Sequence, residues 1–185
     1  LSADGFEETF AVNHLAPFLL TGLLLPFVRD DGGRIINVAS EAHKFVKGMN
    51  FDDLQSENKY STFSVYGQSK LANMLFTIEL ARRLKPRGIS CNSLHPGAVS
   101  TGLGTQNGGL MGKILPLLLK PFFRTPLQGA ATSIHLCCAE DVDSISGKYF
   151  SNCKQTRPKT WAEDFEAAER LWGISEELTG ILYPE

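Results

Sequence analysis

No long basic run occurs in this chain: 18 lysines and arginines stand against 20 aspartates and glutamates, for a formal net charge of −2. A nucleic-acid groove needs a concentrated positive field, so the charge balance argues against that class of partner. Cysteine is sparse too. Cys91, Cys137, Cys138 and Cys153 show no paired spacing of metal ligands, so no metal is expected. The adjacent Cys137-Cys138 falls in a helical pattern, where both are expected to be buried small hydrophobes in a reducing, intracellular compartment. No uninterrupted apolar run reaches the ~18 residues that a membrane-spanning helix needs. Neither a secretory leader nor an internal repeat is expected in the chain as it stands. What is present is ordinary for a globular domain, with 43% apolar and 21% charged residues. A length of 185 residues suits one domain.

The informative stretch is Tyr66-Gly67-Gln68-Ser69-Lys70. It opens a run in which Leu71, Met74, Leu75, Ile78, Ala81 and Leu84 recur at helical spacing. Tyr66 and Lys70 are four apart and project from nearly the same side of that helix. A neighbouring cation favours a phenolate, so the pair can move a proton. Alone, such a pair also fits a solvated helix face. Upstream, Gly33 to Ser40 reads as a short buried strand ending on a hydroxyl. Downstream, Gly88 to Gly97 reads as a second strand closed by a Pro-Gly break. Strand, helix, strand predicts a right-handed crossover and a parallel pair. Both carboxyl ends then lie at one sheet edge, where open α/β folds bind ligands. Ser40 and Pro96-Gly97 sit at those ends.

Ser40 lacks the Gly-x-Ser-x-Gly setting of a nucleophilic serine, and His43, three residues on, is a poor basis for a triad. A hydrogen-bond donor to a substrate oxygen fits it better. Asn13 lies among Phe10, Val12, Leu15, Phe18 and Leu19; a buried amide there needs a partner or costs roughly 1–3 kcal/mol. Leu1 to Val28 reads as one long helix with Ser2 as its N-cap, bent by Pro17, and His14 is expected to pack or cap.

Asn13, Ser40, Tyr66-x-x-x-Lys70 and Pro96-Gly97-Ala98-Val99-Ser100-Thr101, taken in this order, resemble the short-chain dehydrogenase/reductase family. Asp4 to Glu7, Val12 to Leu15, Tyr66 to Asn73, Ser146 to Phe150 and Arg170-Leu171-Trp172 bring the resemblance closest to its retinol dehydrogenase-like branch. The resemblance implies hydride transfer between NADP or NAD, with NADP favoured, and an alcohol or carbonyl carbon. Tyr66 would donate and recover the proton, and in doing so would touch both the substrate oxygen and the cofactor. Lys70 would favour the phenolate and bind the nicotinamide ribose. Ser40 would orient the substrate oxygen, and Asn13 would complete the proton path through a water. Pro96, Gly97, Val99 and Thr101 would shape the nicotinamide seat. Ala39 replaces the first of two serines usual in the family.

The resemblance also has a gap. Family members carry a glycine-rich strand-to-helix turn near the N-terminus that holds the cofactor's pyrophosphate, and this sequence has none. The expected fold is therefore α/β: the C-terminal half of a Rossmann-like, doubly wound parallel sheet, about three strands with flanking helices. Residues 1–185 would form a single, incomplete domain. Such a piece, with an open edge strand, is expected to be unstable alone. A rival reading makes it a non-catalytic interaction module, since the first helix and the Tyr66 helix supply the interface in family homodimers.

Residues 102–124 are glycine-rich and then strongly apolar, broken by Pro116 and Pro121. By composition they fit a core helix, a lid or an interfacial helix; the resemblance favours a substrate lid. A lid of that character implies a lipophilic substrate such as a retinoid or medium-chain aldehyde, with membrane-surface contact as a further expectation. A cytoplasmic or membrane-associated location, at the endoplasmic reticulum or mitochondrion, goes with it. Further on, Thr125-Pro126 should start a helix running to about Ala139, and Gly147 to Ser151 a strand. Trp161 to Trp172 should form a helix ending at Gly173, with a short one around Ser175. Both tryptophans are expected to pack.

Overall fold

The computed structural model describes residues 1–97 and 124–184. Its first helix, α1, is Glu8–Phe27. It starts later than expected because Glu7, not Ser2, caps it: the carboxylate accepts from Thr9 N (2.9 Å) and Phe10 N (2.6 Å). Ser2 instead closes a preceding turn through Phe6 N. The bend expected at Pro17 appears as a widened π turn over Ala11–Leu15, directly before it. Proline lacks the N–H for the ordinary ladder and crowds the carbonyl four residues back, and a wider turn relieves both.

By length and composition α1 is long and apolar enough to cross a membrane. This corrects the expectation, which counted only uninterrupted apolar residues. Yet Phe10, His14, Leu15, Phe18 and Leu25 are buried on its inner face, while Leu20, Leu23, Leu24 and Phe27 point outward.

Strands β1 (Arg34–Val38) and β2 (Ser90–His95) pair in parallel, with Ile36 opposite Asn92. Helix α2 (Thr62–Leu84) makes the crossover between them. Strand β3 (Tyr149–Ser151) adds to β2, again parallel. A fourth strand, β4 (Lys154–Gln155), was not expected and runs antiparallel to β3, so the sheet order is β1-β2-β3-β4. The two-residue turn between them, Asn152-Cys153, has positive φ at both positions, as a tight hairpin turn demands.

Helices α3 (Pro126–Cys138) and α4 (Phe165–Thr179) complete the described residues. Alternate residues of β1 serve opposite faces: Ile35 packs into the core with Phe18, Phe76 and Trp172, and Ile36 into the core with Leu94, Leu136 and Phe150. Thr125 and Gln128 form a reciprocal capping box that starts α3 where Thr125-Pro126 predicts it.

Two further expectations are corrected. Helix α4 passes through Gly173 without a break, because Trp172 and Ser175 on either side are buried; it ends at Gly180, with φ +69°. Cys137 and Cys138 are exposed rather than buried, since the inward positions of α3 are Gly129, Thr132 and Leu136.

Candidate active site

β1 ends at Val38, and the chain turns outward through Ala39 and Ser40 into a short 3-10 turn, Glu41–Phe45. Ser40 is its N-cap, with extended backbone, and its Oγ accepts from Ala42 N at 3.1 Å. That bond uses a lone pair, and among the described residues nothing accepts from the Ser40 O–H, which can donate to a substrate oxygen.

α2 packs directly on this turn. Gly67, beside Tyr66, allows the contact: a Cβ there would stand 2.9 Å from Ala42 O and 3.2 Å from Phe45 Cβ. Tyr66, in the second turn of α2, is thereby held against the segment that carries Ser40.

Lys70 Nζ lies 5.8 Å from the centroid of the Tyr66 ring and donates to Val38 O at 3.2 Å. Asn73 Nδ2 donates to the same carbonyl at 3.3 Å. Burial holds the Lys70 ammonium below its ordinary pKa. An ammonium has three donors, and the bond to Val38 leaves others for a ligand hydroxyl.

Asn13 sits in the π turn and finds its partner across the helix pair. Its Nδ2 donates to Ser69 Oγ at 3.0 Å, and Ser69 donates to Tyr66 O at 2.9 Å. The link toward Lys70 is thus made through the adjacent Ser69, bracing the turn of α2 between Tyr66 and Lys70.

At the end of β2, Gly97 takes φ +88°, a conformation that favours glycine. Arg124 lies against it, donating to Pro96 O at 3.3 Å and bonding Asn152 Oδ1. Val99, Thr101 and the expected lid, apart from Arg124, lie outside the described residues.

The structure therefore gathers Asn13, Ser40, Tyr66 and Lys70 around one turn, and puts Pro96-Gly97 at the end of the neighbouring strand. Several residues had no sequence signal. Tyr149 donates to Glu41 Oε1 at 2.8 Å, and Lys44 pairs with the same carboxylate. Burial works against the Glu41 charge, but Lys44 and Tyr149 outweigh it and hold the carboxyl below its usual range. Burial, with Glu41 beside it, pushes the Tyr149 phenol up. His95 Nδ1 accepts from Glu41 N at 3.4 Å, and burial lowers its pKa. Glu41 follows Ser40, so these contacts fix the path of the chain out of the strand.

A phenol, an ammonium and a free hydroxyl at a sheet's carboxyl edge fit a nicotinamide ribose and a reacting carbonyl. The family model described as short chain dehydrogenase matches residues 1–108. Retinol dehydrogenase 14 of Mus musculus is 46% identical over 97% of this chain and 54% of its own length. Retinol dehydrogenase 12 of Mus musculus is likewise 46% identical, over 97% of this chain and 56% of its own. The chain thus spans about half the length of the curated relatives it matches. Among solved structures, an uncharacterised protein from Mycobacterium Paratuberculosis is 32% identical with a TM-score of 0.73, covering 100% of this chain and 63% of that one. The landomycin C-6 ketoreductase LanV, solved with NADP and rabelomycin, is 26% identical with a TM-score of 0.54, over 82% of this chain and 52% of that one.

Proposed function

Because the chain belongs to the short-chain dehydrogenase family, in its retinol dehydrogenase-like branch, we propose that it supplies the catalytic half of an NAD(P)-dependent oxidoreductase acting on an alcohol or carbonyl. The observation that carries this reading is the cluster at the end of β1. Lys70 Nζ is anchored to Val38 O beside the Tyr66 ring, and Ser40 carries an unspent O–H.

A nicotinamide held beside Lys70 and Gly97 would supply or accept the hydride. The proton transfer and the placing of the substrate oxygen fall to this chain. Tyr66 Oη gives a proton to the carbonyl oxygen in reduction and takes it back in oxidation. Lys70 stabilises the phenolate that remains and binds ribose hydroxyls with its free N–H groups. Ser40 donates to the substrate oxygen and stabilises its developing charge. Asn13, through Ser69, holds the first turns of α2 so that Tyr66 and Lys70 keep their spacing. Pro96 and Gly97, backed by Arg124, would shape the nicotinamide seat; Val99 and Thr101, which the resemblance assigns to the same seat, lie outside the described residues.

The substrate we propose is lipophilic, a retinoid or medium-chain aldehyde, in keeping with the names of the relatives. NADP is favoured over NAD because two similar proteins, a ketoreductase and a blue fluorescent protein, are solved with NADP and NADPH. The outward apolar face of α1, with Leu20, Leu23, Leu24 and Phe27, supports a homodimer or contact with an intracellular membrane surface. A purely non-catalytic module finds no support among the relatives.

The test is Tyr66→Phe in a chain extended upstream to the relatives' length. Turnover should fall by about 10²–10⁴, the usual contribution of a general acid or base. A variant that still turns over retinal at the parent rate refutes the assignment. Small polar carbonyls reduced faster than lipophilic ones overturn the substrate class.

A further inference from the structure

His43 is fully buried and takes no part in the chemistry above. Its Nδ1 lies 2.8 Å from Ser40 O. A carbonyl oxygen only accepts, so Nδ1 carries the hydrogen. Its Nε2 faces Lys159 N–H at 3.4 Å and must be the acceptor. The two neighbours together fix one neutral tautomer. Burial, the largest influence on the ring, lowers its pKa in agreement with that form.

The same Ser40 carbonyl also accepts the backbone N–H of His43 at 3.2 Å. The His43 carbonyl in turn accepts from Trp161 Nε1 at 3.0 Å, and the ring stands edge-on to Tyr149. His43 therefore ties the Ser40 peptide to the segment before α4, its ring reaching Lys159 N and its backbone carbonyl reaching Trp161.

We propose that His43 is a positioning residue for Ser40, its Nδ1–H fixing the Ser40–Glu41 peptide plane and hence the direction of the Ser40 hydroxyl. The proposal rests on the reading of Ser40 as donor to the substrate oxygen. Once the backbone of a serine is fixed, one side-chain torsion remains, and the bond from Ala42 N already restrains it. Freeing the carbonyl lets the peptide plane rock and carries the hydroxyl with it. The imidazole itself never meets substrate.

Two substitutions separate this role from simple packing. Asparagine places an amide N–H where Nδ1 stands; glutamine reaches the Nε2 position and leaves Ser40 O without its side-chain donor. In the chain extended to the relatives' length, His43→Asn should lower kcat by no more than about threefold, while His43→Gln lowers it by at least about tenfold, the scale of a sub-ångström misplacement. KM for NADP should stay constant in both. If packing alone matters, kcat per cofactor-binding site is equal in the two variants or follows their Tm, and the proposal fails. Trp161→Phe keeps an aromatic ring and removes only the bond to the His43 carbonyl. It should lower kcat in the same sense, and it serves if His43→Gln does not fold; an unchanged kcat there overturns the proposal. Tyr66→Phe is assayed alongside. If it keeps full turnover, the oxidoreductase reading falls and this inference with it. If it is dead while the asparagine and glutamine variants are alike, only the inference falls.

Discussion

Gly67→Ala tests whether the fit of α2 on the Ser40 turn sets the catalytic geometry. In an exposed helix interior this change is stabilising by about 0.8–1.0 kcal/mol, from propensity alone. Here the new Cβ would stand 2.9 Å from the Ala42 carbonyl oxygen and 3.2 Å from both Phe45 Cβ and Val46 Cγ1. Two of those three neighbours have no freedom of their own: one is backbone, and one is a Cβ fixed by it. Ordinary contact begins some tenths of an ångström farther out, so α2 and the turn must separate by roughly half an ångström. Tyr66 travels with α2 and Ser40 with the turn. A full ångström of misplacement can cost about a hundredfold in rate, so roughly half of that predicts a fall in kcat of about tenfold. The overpacking also cancels the propensity gain, leaving the protein destabilised by about 1 kcal/mol or more. The assay pairs steady-state turnover of a lipophilic aldehyde with a urea-unfolding midpoint, in the chain extended upstream. An alanine variant that is both more stable and fully active refutes the packing account.

Three more outcomes follow from single features. Burial brings His14 from its ordinary 6.5 down to about 4. The folded state then binds fewer protons than the unfolded chain between those values, so stability is lost as pH falls through that window. At ~1.4 kcal/mol per pH unit this amounts to about 3 kcal/mol. His43 and His95 are lowered too, so the informative quantity is the difference from His14→Leu; equal pH dependence of the two urea midpoints rules the linkage out. The isolated 185-residue chain should self-associate, because β1 is an edge strand and α1 turns leucines and a phenylalanine to solvent. Sedimentation showing a monomer that also melts cooperatively would contradict this. Thr125→Ala removes the acceptor of the α3 capping box and should cost about 1 kcal/mol, read as a lower melting temperature.

Much of this arrangement was legible because it depends on periodicity and strand ends. Ile35 and Ile36, each half-buried, face opposite cores, as a strand packed on both faces requires, and the Leu71 to Leu84 pattern shows which side of α2 turns inward. The parallel crossover alone puts Ser40 and Pro96-Gly97 at one edge; joining Tyr66 and Lys70 to them as a site takes the family resemblance. What stayed hidden depends on tertiary balance. Gly173 looked like a helix stop because a glycine in isolation is one, yet buried Trp172 and Ser175 hold the helix through it. Asn152-Cys153 is not a familiar hairpin pair, and β4 forms around it regardless. By sequence spacing His43 suggests only a base for Ser40 Oγ. Its actual partner is the Ser40 carbonyl, an atom that every residue possesses.

That last point extends to the lysine. Val38 O receives both Lys70 Nζ and Asn73 Nδ2, and no choice of side chain at position 38 adds or removes that acceptor. The ammonium is anchored by the end of a strand, and the strand is fixed by its register with β2, where Val38 stands opposite Leu94. Leu94 is fully buried with Leu136 and Phe150. A change in packing on the far face of the sheet, such as Leu94→Ala, therefore acts on the site through backbone rather than through any contact with it. The transfer and cavity terms predict a loss of about 2–5 kcal/mol of stability. If β1 and β2 shift to close the void, Val38 O moves with them and Lys70 loses its anchor. The turnover of the folded fraction should then fall as well, and a variant that loses stability alone would show that the strand end holds its position independently of the core beneath it.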